Sequence, residues 1–543
     1  MRVRLDIERP HDAELTDEAL RRAAARALGV PPPQVRSLEV VRRALDARAR
    51  RRRPTWRLTV DVELARRPAR SGRAQPPPTP PPALDSPRAP SGAGPVVVVG
   101  AGPAGLFAAW HLAERGFRVH LLERGKPVET RARDFGRFRG RGVLDPESNI
   151  CFGEGGAGTY SDGKLYTRKR DPLIPEVLRR MVRTGAPERI AVDAKPHIGT
   201  NRLFGMLKGI RAELERLGVE LHFETRVDGL HRRADGVRGV DLAGGATLDA
   251  ERVVLAIGHS ARDTFERLLS LGLPMQPKPF AVGVRAEHPQ ALVDAAQYGL
   301  PRPSGDPRAA LSGRPPTLPP ADYRLAAQTG ADRGVWSFCM CPGGMIIPSS
   351  TEPEMVVVNG MSSARRSTPF ANSGVVVHVG LEDLAREGHG TGPLSGVAFQ
   401  RALERAAFVA GGETYRAPAM RASDLVAGRA PRDLAETHFR PGLTAVDLRE
   451  VLPEFVWRSL AEGLGRFDRT LPGYASADAN LIAVESRTSS PVRIPRDADT
   501  HEVAGFPGLY VAGEGPGYAG GIMSAAIDGL RTAQNILRQA AEG

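Results

Sequence analysis

Three glycines near residue 100 have a spacing that suits the binding of a diphosphate. Gly100, Gly102 and Gly105 follow the four valines Val96–Val99 in the pattern G-x-G-x-x-G. The first glycine permits a tight turn, the second lets the backbone approach a pyrophosphate, and the third lets a helix pack on the strand. Glu123 stands roughly 20 residues further on, where a carboxylate binds a ribose hydroxyl. These residues predict a dinucleotide site, and the acid favours FAD or NAD over NADP.

The elements that must position this site are a strand, a helix and a second strand. Four consecutive valines are typical of a parallel strand that is buried on both faces. The spacing predicts a helix over 103–114, with its first N–H groups aimed at the diphosphate, and a second strand over 117–122. Further candidate cofactor contacts in this unit are Pro103, Ala104 and Arg124.

A second glycine-rich segment, residues 148–165, contains five glycines, too many for the interior of a helix or strand. We interpret it as a loop that wraps the cofactor, with a plain surface loop as the alternative. Its candidate cofactor contacts are Gly156, Ala157, Gly158, Ser161, Asp162, Gly163 and Lys164. Lys164 is also a catalytic candidate, because an ammonium group can balance the charge of a reduced flavin; a surface lysine is the alternative.

The C-terminal segment has the same order of elements as the first one: a strand, then glycines, then a helix. Residues 509–514 predict a strand that ends in Gly513-Glu514, and a helix is predicted over 523–540. In FAD domains such an acid holds the ribityl chain, and the helix N-terminus faces the pyrimidine edge of the flavin. The remaining predicted cofactor contacts are Val227, Ala256, Gly258, Gly513, Glu514, Gly520, Gly521 and Ile522.

The nucleotide-contacting segments near both ends of one fold predict FAD as the bound cofactor. The predicted inserted domain, residues 275–473, has no second strand–G-x-G-x-x-G–helix and therefore no recognisable nicotinamide-binding unit. We therefore keep NAD(P)H open only as a transient electron donor without a dedicated domain.

Cys339 and Cys341 form a Cys-x-Cys pair before a Pro-Gly-Gly turn. Residues two apart in a strand face the same side, so both thiols are predicted to line one pocket. They join Lys164 as catalytic candidates. A redox dithiol and two buried, packing cysteines both stay open. Two cysteines supply only half of a tetrahedral ligand set, so no metal site is predicted.

A polar segment before the last FAD segment supplies candidate substrate contacts, because arginines can clamp a carboxylate or phosphate. A structural role is the alternative in so arginine-rich a chain. The candidates are Arg487, Thr488, Ser489 and Arg493.

Length and composition are those of a soluble globular protein. The 543 residues are 41% hydrophobic and 25% charged, and no apolar run approaches the ~20 residues of a membrane span. The N-terminus lacks the apolar core of a signal peptide, and three cysteines argue for a reducing compartment. We expect a cytoplasmic protein with a small-molecule substrate and no membrane partner; the oligomeric state stays open.

The net charge of +13 comes mostly from arginine. Its densest cluster, residues 48–53, suits contact with nucleic acid. A solvated hairpin loop is the favoured interpretation, so a nucleic-acid partner is disfavoured but stays open.

Composition and periodicity divide the chain into four parts and predict an α/β fold. Residues 1–65 predict a βαββ ferredoxin-like module, and 66–94 a proline-rich linker. Residues 95–274 and 474–543 predict a Rossmann-like FAD-binding domain with a β-meander, in the order found in glutathione-reductase-type FAD domains. Residues 275–473 predict an inserted α+β substrate domain.

The chain resembles a family of uncharacterised bacterial FAD-dependent dehydrogenases, or NAD(P)/FAD-dependent oxidoreductases. The segments that carry the resemblance are VVVVGAGPAGLFAA, NICFGEGGAGTYSDGKL, KPHIGTNRL, FAVGVRAEHPQ, WSFCMCPGG, ESRTSSPVRI and GEGPGYAGGIMSAAIDG. Two positions depart from the broader flavoprotein pattern: Glu514 replaces the usual aspartate, and Ile257 replaces the usual threonine.

The resemblance implies an oxidoreductase that transfers a hydride between flavin N5 and a small organic substrate, which the family does not identify. Two alternatives stay open. One is a flavin-dependent monooxygenase, and the other is a flavin-containing protein that binds nucleic acid or modifies RNA.

Overall fold

The computed structural model describes residues 1–47, 53–66, 75–78, 84–167, 170–301 and 313–542. The arginine cluster, apart from Arg53, and parts of the proline-rich linker lie outside these residues, so the predictions made for them stay predictions. Within the described ranges, none of the helices has the length and apolar character needed to cross a membrane.

The N-terminal residues form a small antiparallel sheet under one helix. Its elements are β1 (Arg2–Pro10), α1 (Asp17–Leu28), β2 (Val35–Asp46) and β3 (Thr55–Leu64), and the sheet order is β1-β3-β2. Alternate residues of β1 are buried, namely Val3, Leu5 and Ile7. This alternation is that of a sheet with one face on a core. The ferredoxin-like classification of this module stays a prediction.

The next unit is an α/β domain. Its elements are β4 (Val96–Val99), α2 (Pro103–Glu114), β5 (Val119–Leu122), α3 (Val128–Arg141), α4 (Ile174–Arg183), α5 (Thr200–Arg216), β6 (Glu220–His222), β7 (Val227–Arg233), β8 (Gly236–Leu242), β9 (Thr247–Asp249), β10 (Arg252–Leu255) and α6 (Arg262–Ser270). Strands β7, β8 and β9 form the predicted antiparallel meander. The predicted helix 103–114 is confirmed.

The inserted unit is built on a seven-stranded sheet. Its elements are β11 (Gln276–Pro277), β12 (Phe280–Pro289), α7 (Gln290–Tyr298), β13 (Ala326–Gln328), β14 (Gly334–Cys341), β15 (Met345–Pro348), β16 (Val358–Met361), β17 (Phe370–Val379), α8 (Leu381–Arg386), α9 (Ser395–Ala410), β18 (Ala417–Arg421), α10 (Ala422–Ala427), β19 (Leu443–Ala445), α11 (Glu454–Thr470), β20 (Asn480–Glu485) and β21 (Val492–Arg493). The order of the large sheet is β13-β14-β17-β12-β20-β18-β19.

The chain returns to the α/β domain later than the sequence predicts. Strand β20 hydrogen-bonds to β12, and β21 pairs with β11. The boundary at residue 474 is therefore wrong, because β20 places the chain in the large sheet of the inserted unit up to Glu485. The reason is physical: a short buried apolar strand is compatible with either sheet, and only long-range pairing decides which sheet it joins.

Two C-terminal elements, β22 (Leu509–Val511) and α12 (Ile522–Glu542), complete the α/β domain. Its five parallel strands have the order β22-β10-β4-β5-β6, so β4 is central. Helix α12 packs closely on α2, because a Cβ added at Gly529 would lie 2.0 Å from the Ala104 carbonyl oxygen. The fold thus brings together the two predicted cofactor segments, which are about 400 residues apart in sequence.

Candidate functional site

The turn after β4 requires glycine at two positions. Gly100 has φ +105°, and a Cβ there would lie 2.4 Å from the Ala256 carbonyl oxygen. A Cβ on Gly105 would lie 1.8 Å from the Gly100 oxygen. Helix α2 starts at Pro103, with Gly102 as its N-cap and no capping side chain. Its first turn can therefore bind an anion such as a diphosphate.

The Glu123 carboxylate, which is 6% exposed, ties three backbone segments together. The N–H of Ala101 donates to Oε2 (2.8 Å), and those of Gly125 and Gly153 donate to Oε1 (2.9 and 2.8 Å). A carboxylate offers about four acceptor positions. One position on Oε2 is left for a hydroxyl donor, as the predicted contact with a ribose requires.

Arg131 on α3 holds the glycine-rich loop, and the sequence analysis did not assign it a role. Its guanidinium is buried and donates to Thr159 Oγ1 (3.1 Å) and to five backbone carbonyls at 2.6–3.3 Å. The five carbonyls belong to Asn149, Ile150, Gly153, Glu154 and Gly156. The sequence does indicate that Arg131 is buried, because it lies at helical spacing with the apolar residues Val128, Phe135 and Phe138.

The glycine-rich loop lies between the N-terminal ends of α2 and α12. A Cβ added at Gly156 would lie 3.1 Å from Gly102 Cα, and one at Gly158 would lie 3.0 Å from Ile522 Cγ1. The structure therefore brings together residues from the three segments that the sequence assigned to the cofactor. Ala157 lies in a 3₁₀ turn over Gly156–Tyr160.

Lys164 reaches from this loop into the inserted unit. Its Nζ donates to the Met340 carbonyl in β14 and lies 3.7 Å from Asp162 Oδ2. Asp162 also pairs with Arg366, whose Nε lies 3.0 Å from Oδ1. Lys164 is only 16% exposed, so the alternative of a surface lysine is wrong.

The two cysteines are brought together by a β-bulge and not by strand alternation. The β14–β17 pairing shifts register between Phe338 and Cys341, and Cys339 has φ +46°. Positive φ is uncommon for residues other than glycine, and bulges occur often beside active sites. The Cys341 thiol is buried and donates to the Cys339 carbonyl (3.3 Å), while Cys339 is partly exposed. The prediction of regular same-face spacing is therefore wrong.

A fully buried ion pair, Arg285–Glu485, stabilises the β-bulge at Cys339. Arg285 Nη2 donates to the Cys339 carbonyl (2.7 Å), and Nη1 lies 2.8 Å from Glu485 Oε2. Arg285 Nε donates to Asn372 (2.8 Å). Burial raises the pKa of Glu485 to about 7, although the charge of Arg285 opposes that rise.

The local charges act on the two thiols in opposite directions. A hydrogen bond from the Cys341 thiol to the Cys339 sulfur, which is the alternative to its bond to the Cys339 carbonyl, lowers the pKa of Cys339 well below its usual range; burial opposes this effect, and the Lys164 and Arg285 charges add to it. The same hydrogen bond and burial raise the pKa of Cys341. Burial alone would lower the pKa of Lys164, but Cys341, Cys339 and Asp162 raise it. The arrangement favours a thiolate at Cys339 beside an ammonium.

A second polar cluster surrounds Glu514. His259 Nε2 lies 3.8 Å from Glu514 Oε1, and His259 Nδ1 is buried without a hydrogen-bond partner. Burial raises the pKa of Glu514 to about 7 and lowers that of His259 to about 3. An unpartnered buried nitrogen beside a carboxyl group fits a polyhydroxyl chain such as the ribityl chain of FAD.

Several other predicted contacts already have partners within the protein. Arg124 pairs with Glu147 (2.8 Å) and Asp263 (2.9 Å). Arg487 Nη2 lies 2.8 Å from the fully buried Glu404, which also pairs with Arg262 (2.7 Å), so Arg487 already has a carboxylate partner and its contact with a substrate stays a prediction.

The remaining predicted contacts are distributed around these segments. Among the predicted substrate contacts, the Thr488 hydroxyl donates to the Ala281 carbonyl, Ser489 is partly buried, and Arg493 donates to the Gly517 carbonyl and lies over the Tyr518 ring. Among the predicted cofactor contacts, Ser161 donates to the Gly158 carbonyl and Val227 begins the meander. The glycines Gly163, Gly258 and Gly513 pack against Gly199, Gly515 and Ala104 respectively, and Gly520 and Gly521 are exposed before α12.

Three family models match the chain. Residues 95–202 and 196–336 match a model described as FAD dependent oxidoreductase, and residues 279–488 match one described as FAD-dependent protein, C-terminal domain-like. Residues 1–63 match a domain of unknown function.

The chain is also similar to individual proteins. It is 42% identical over 446 residues to an uncharacterised protein of Clostridium beijerinckii, covering 82% of this chain and 80% of that protein. It is 25% identical over 219 residues to protein FixC of Escherichia coli, covering 36% of this chain and 44% of FixC. Among solved structures, it is similar to glycine oxidase from Geobacillus kaustophilus, with 14% identity, a TM-score of 0.33, and coverage of 82% of this chain and 94% of that chain.

Replacing Arg131 tests its role in the loop. We expect Arg131→Met to lower the free energy of unfolding by at least about 3 kcal/mol, because several buried carbonyls lose their donors. Arg131→Lys keeps the positive charge but not the planar guanidinium with its several N–H donors, so its free energy of unfolding should fall by less. Urea unfolding measures both variants. A loss below about 1 kcal/mol in Arg131→Met would contradict this assignment.

Replacing Glu123 tests the ribose contact. Glu123→Ala should weaken FAD binding by about 1.5–3 kcal/mol, the value of a hydrogen bond to a charged group. Titration of the FAD-free protein measures the affinity. Glu154→Gln is the control, because Glu154 is a buried carboxylate of the neighbouring glycine-rich loop that accepts from the Val128 N–H. Equal affinities of Glu123→Ala and the wild type would show that Glu123 does not bind FAD.

Alkylation of Cys339 tests the lowered pKa. A lowered pKa means that the thiolate persists to lower pH, so the iodoacetamide rate should rise with pH through a midpoint below the ~8.5 of an ordinary thiol. Mass spectrometry of the Cys339 peptide measures that rate. Lys164→Gln and Cys341→Ala should both raise the midpoint, whereas Cys341→Ser keeps a donor and should raise it less. A wild-type midpoint at or above ~8.5 would refute the assignment.

Proposed function

The chain belongs to a family of FAD-dependent oxidoreductases, and on that premise we propose that it is a dehydrogenase or reductase acting on a small organic substrate. When bound, FAD supplies a site, flavin N5, that accepts or gives a hydride. The protein's own part is to hold the cofactor, orient the substrate and move a proton.

We assign the cofactor to the segments that meet around the glycine-rich loop. The α2 N-terminus would bind the diphosphate, Glu123 the ribose and Glu514 the ribityl chain. The unpartnered His259 nitrogen supports the last assignment. The order of strands, meander and terminal helix supports placing this domain among glutathione-reductase-type FAD domains.

The observation that carries the proposal is the cluster of Lys164, Cys339 and Cys341 where the glycine-rich loop meets the inserted sheet. In this proposal, Cys339 takes the proton that a substrate hydroxyl or amine loses on oxidation. The Lys164 ammonium stabilises negative charge at the same place. Cys341 is a positioning residue, because it acts through its hydrogen bond to Cys339.

We also propose a cytoplasmic location, since all three cysteines are free thiols in the structure. The substrate is proposed to be a small molecule that enters between the α/β domain and the inserted unit.

Anaerobic mixing with pooled metabolites tests the reaction class. A dehydrogenase substrate should bleach the oxidised flavin absorbance without NAD(P)H or oxygen. Reduction by NAD(P)H alone, followed by oxygen uptake only when a substrate is present, would contradict the proposal and show a monooxygenase.

Dithionite titration distinguishes a proton-transfer role of the thiols from a redox dithiol. We expect two-electron uptake in the wild type and in a Cys339→Ser, Cys341→Ser double variant, because only FAD is reduced. Uptake of four electrons in the wild type and two in the double variant would show a redox dithiol instead. Cys339→Ser alone should slow flavin reduction by the substrate 10²–10⁴-fold, the usual contribution of a general base. An unchanged rate would remove Cys339 from catalysis.

A further inference from the structure

Two histidines and a glutamate meet at the edge of the parallel sheet, on strands about 100 residues apart. His120 lies on β5, and Glu220 and His222 lie at the two ends of the three-residue edge strand β6. His120 pairs with Glu220, and Leu122 pairs with His222. Residues two apart on a strand share a face, and so do paired neighbours, so all three side chains project from one face.

One nitrogen of His120 faces both partners. His120 Nδ1 lies 3.3 Å from His222 Nε2 and 3.3 Å from Glu220 Oε2. Among the described residues, these three donor atoms all lie within 4.8 Å of one another. A ring nitrogen carries at most one proton, and that proton can be directed at only one of the two partners. A cation between the three atoms would satisfy all of them at once.

The distances match a tetrahedral transition-metal ion. Zinc bonds of about 2.0–2.2 Å to nitrogen and oxygen place neighbouring donor atoms about 3.3–3.6 Å apart in a tetrahedron. The separations of His120 Nδ1 from His222 Nε2 and from Glu220 Oε2, both 3.3 Å, agree with that edge length. Two imidazoles and one carboxylate suit Zn²⁺, whereas Mg²⁺ and Ca²⁺ prefer sets made only of oxygen.

We propose that His120, Glu220 and His222 bind one divalent transition-metal ion, with Zn²⁺ as the best-matched ion. Glu220 is 53% exposed, so solvent can fill the fourth position. This proposal departs from the sequence-based expectation of no metal, which rested on the cysteine pair. It is independent of the proposed oxidoreductase reaction.

A bound ion would join the edge strand β6 to β5. Because the ligands come from two strands of the folded sheet, the ion would bind the native state and raise its stability.

The test uses the full-length, FAD-loaded protein after removal of metals with a chelator. Zinc chloride is titrated against a chromophoric chelator, bound zinc is counted by elemental analysis, and X-ray absorption at the zinc edge reports the ligands. We expect one zinc ion per chain, nitrogen and oxygen ligands at about 2.0–2.1 Å including two imidazoles, and a higher Tm.

The variants His120→Gln and His222→Gln should each weaken zinc binding at least about 100-fold, more than the change of a supporting residue usually costs. His231→Gln is the matched control, since His231 also lies near two carboxylates (3.9 and 4.0 Å) but lacks a second histidine. Retained FAD content shows that each variant is folded. If the wild type binds no zinc, binds it through oxygen alone, or binds it as tightly as both variants do, the proposal is overturned.

Discussion

The buried guanidinium of Arg131 is the interaction on which the shape of the candidate site depends. It donates to five carbonyls of one loop. The Gly153 carbonyl also accepts from the Gly156 N–H (2.9 Å) and the Glu154 carbonyl from Thr159 Oγ1 (3.0 Å), but loss of Arg131 would take a charged donor from all five buried groups. Arg131 also explains part of the glycine content, because a Cβ on Gly153 would lie 2.5 Å from Arg131 Cδ. The loop is therefore a fixed element, and its fixed shape places Gly156 against α2, Gly158 against α12 and Lys164 against β14.

Charges inside the inserted unit extend this constraint to the cysteine pair. The Arg285–Glu485 pair is buried, and removing one partner of such a pair typically costs about 3–5 kcal/mol. Arg285 uses the same guanidinium to hold the Cys339 carbonyl, while Lys164 holds the next carbonyl, that of Met340. Two cations from different units thus support one bend in β14. The strained backbone of Cys339 persists because hydrogen bonds from both Arg285 and Lys164 fix the carbonyls of residues 339 and 340.

The parts of the fold that could be predicted from the sequence are those that local patterns decide. The β4 turn, helix α2 and Glu123 follow from a motif whose glycines and acid act within about 25 residues of one another. Local patterns could not predict three features: the β-bulge at Cys339, the membership of β20 in the sheet of the inserted unit, and the pairing of Arg487 with Glu404. Each depends on residues roughly 30 to 200 positions away: the bulge against β17, the ladder with β12 and the Glu404 carboxylate. Arg131 is the intermediate case, because its place on the apolar face of α3 is visible but its carbonyl partners are not.

The central claim is that the glycine-rich loop places Lys164 and Cys339 at the reacting side of the flavin. A crystal structure of the FAD complex tests this most directly. The account predicts that the isoalloxazine ring and the Cys339 sulfur border one enclosed space, with no side chain between them and Lys164 Nζ at its edge. A ring that lies beside Arg487 and Cys151, with the loop separating it from Cys339, would contradict the account.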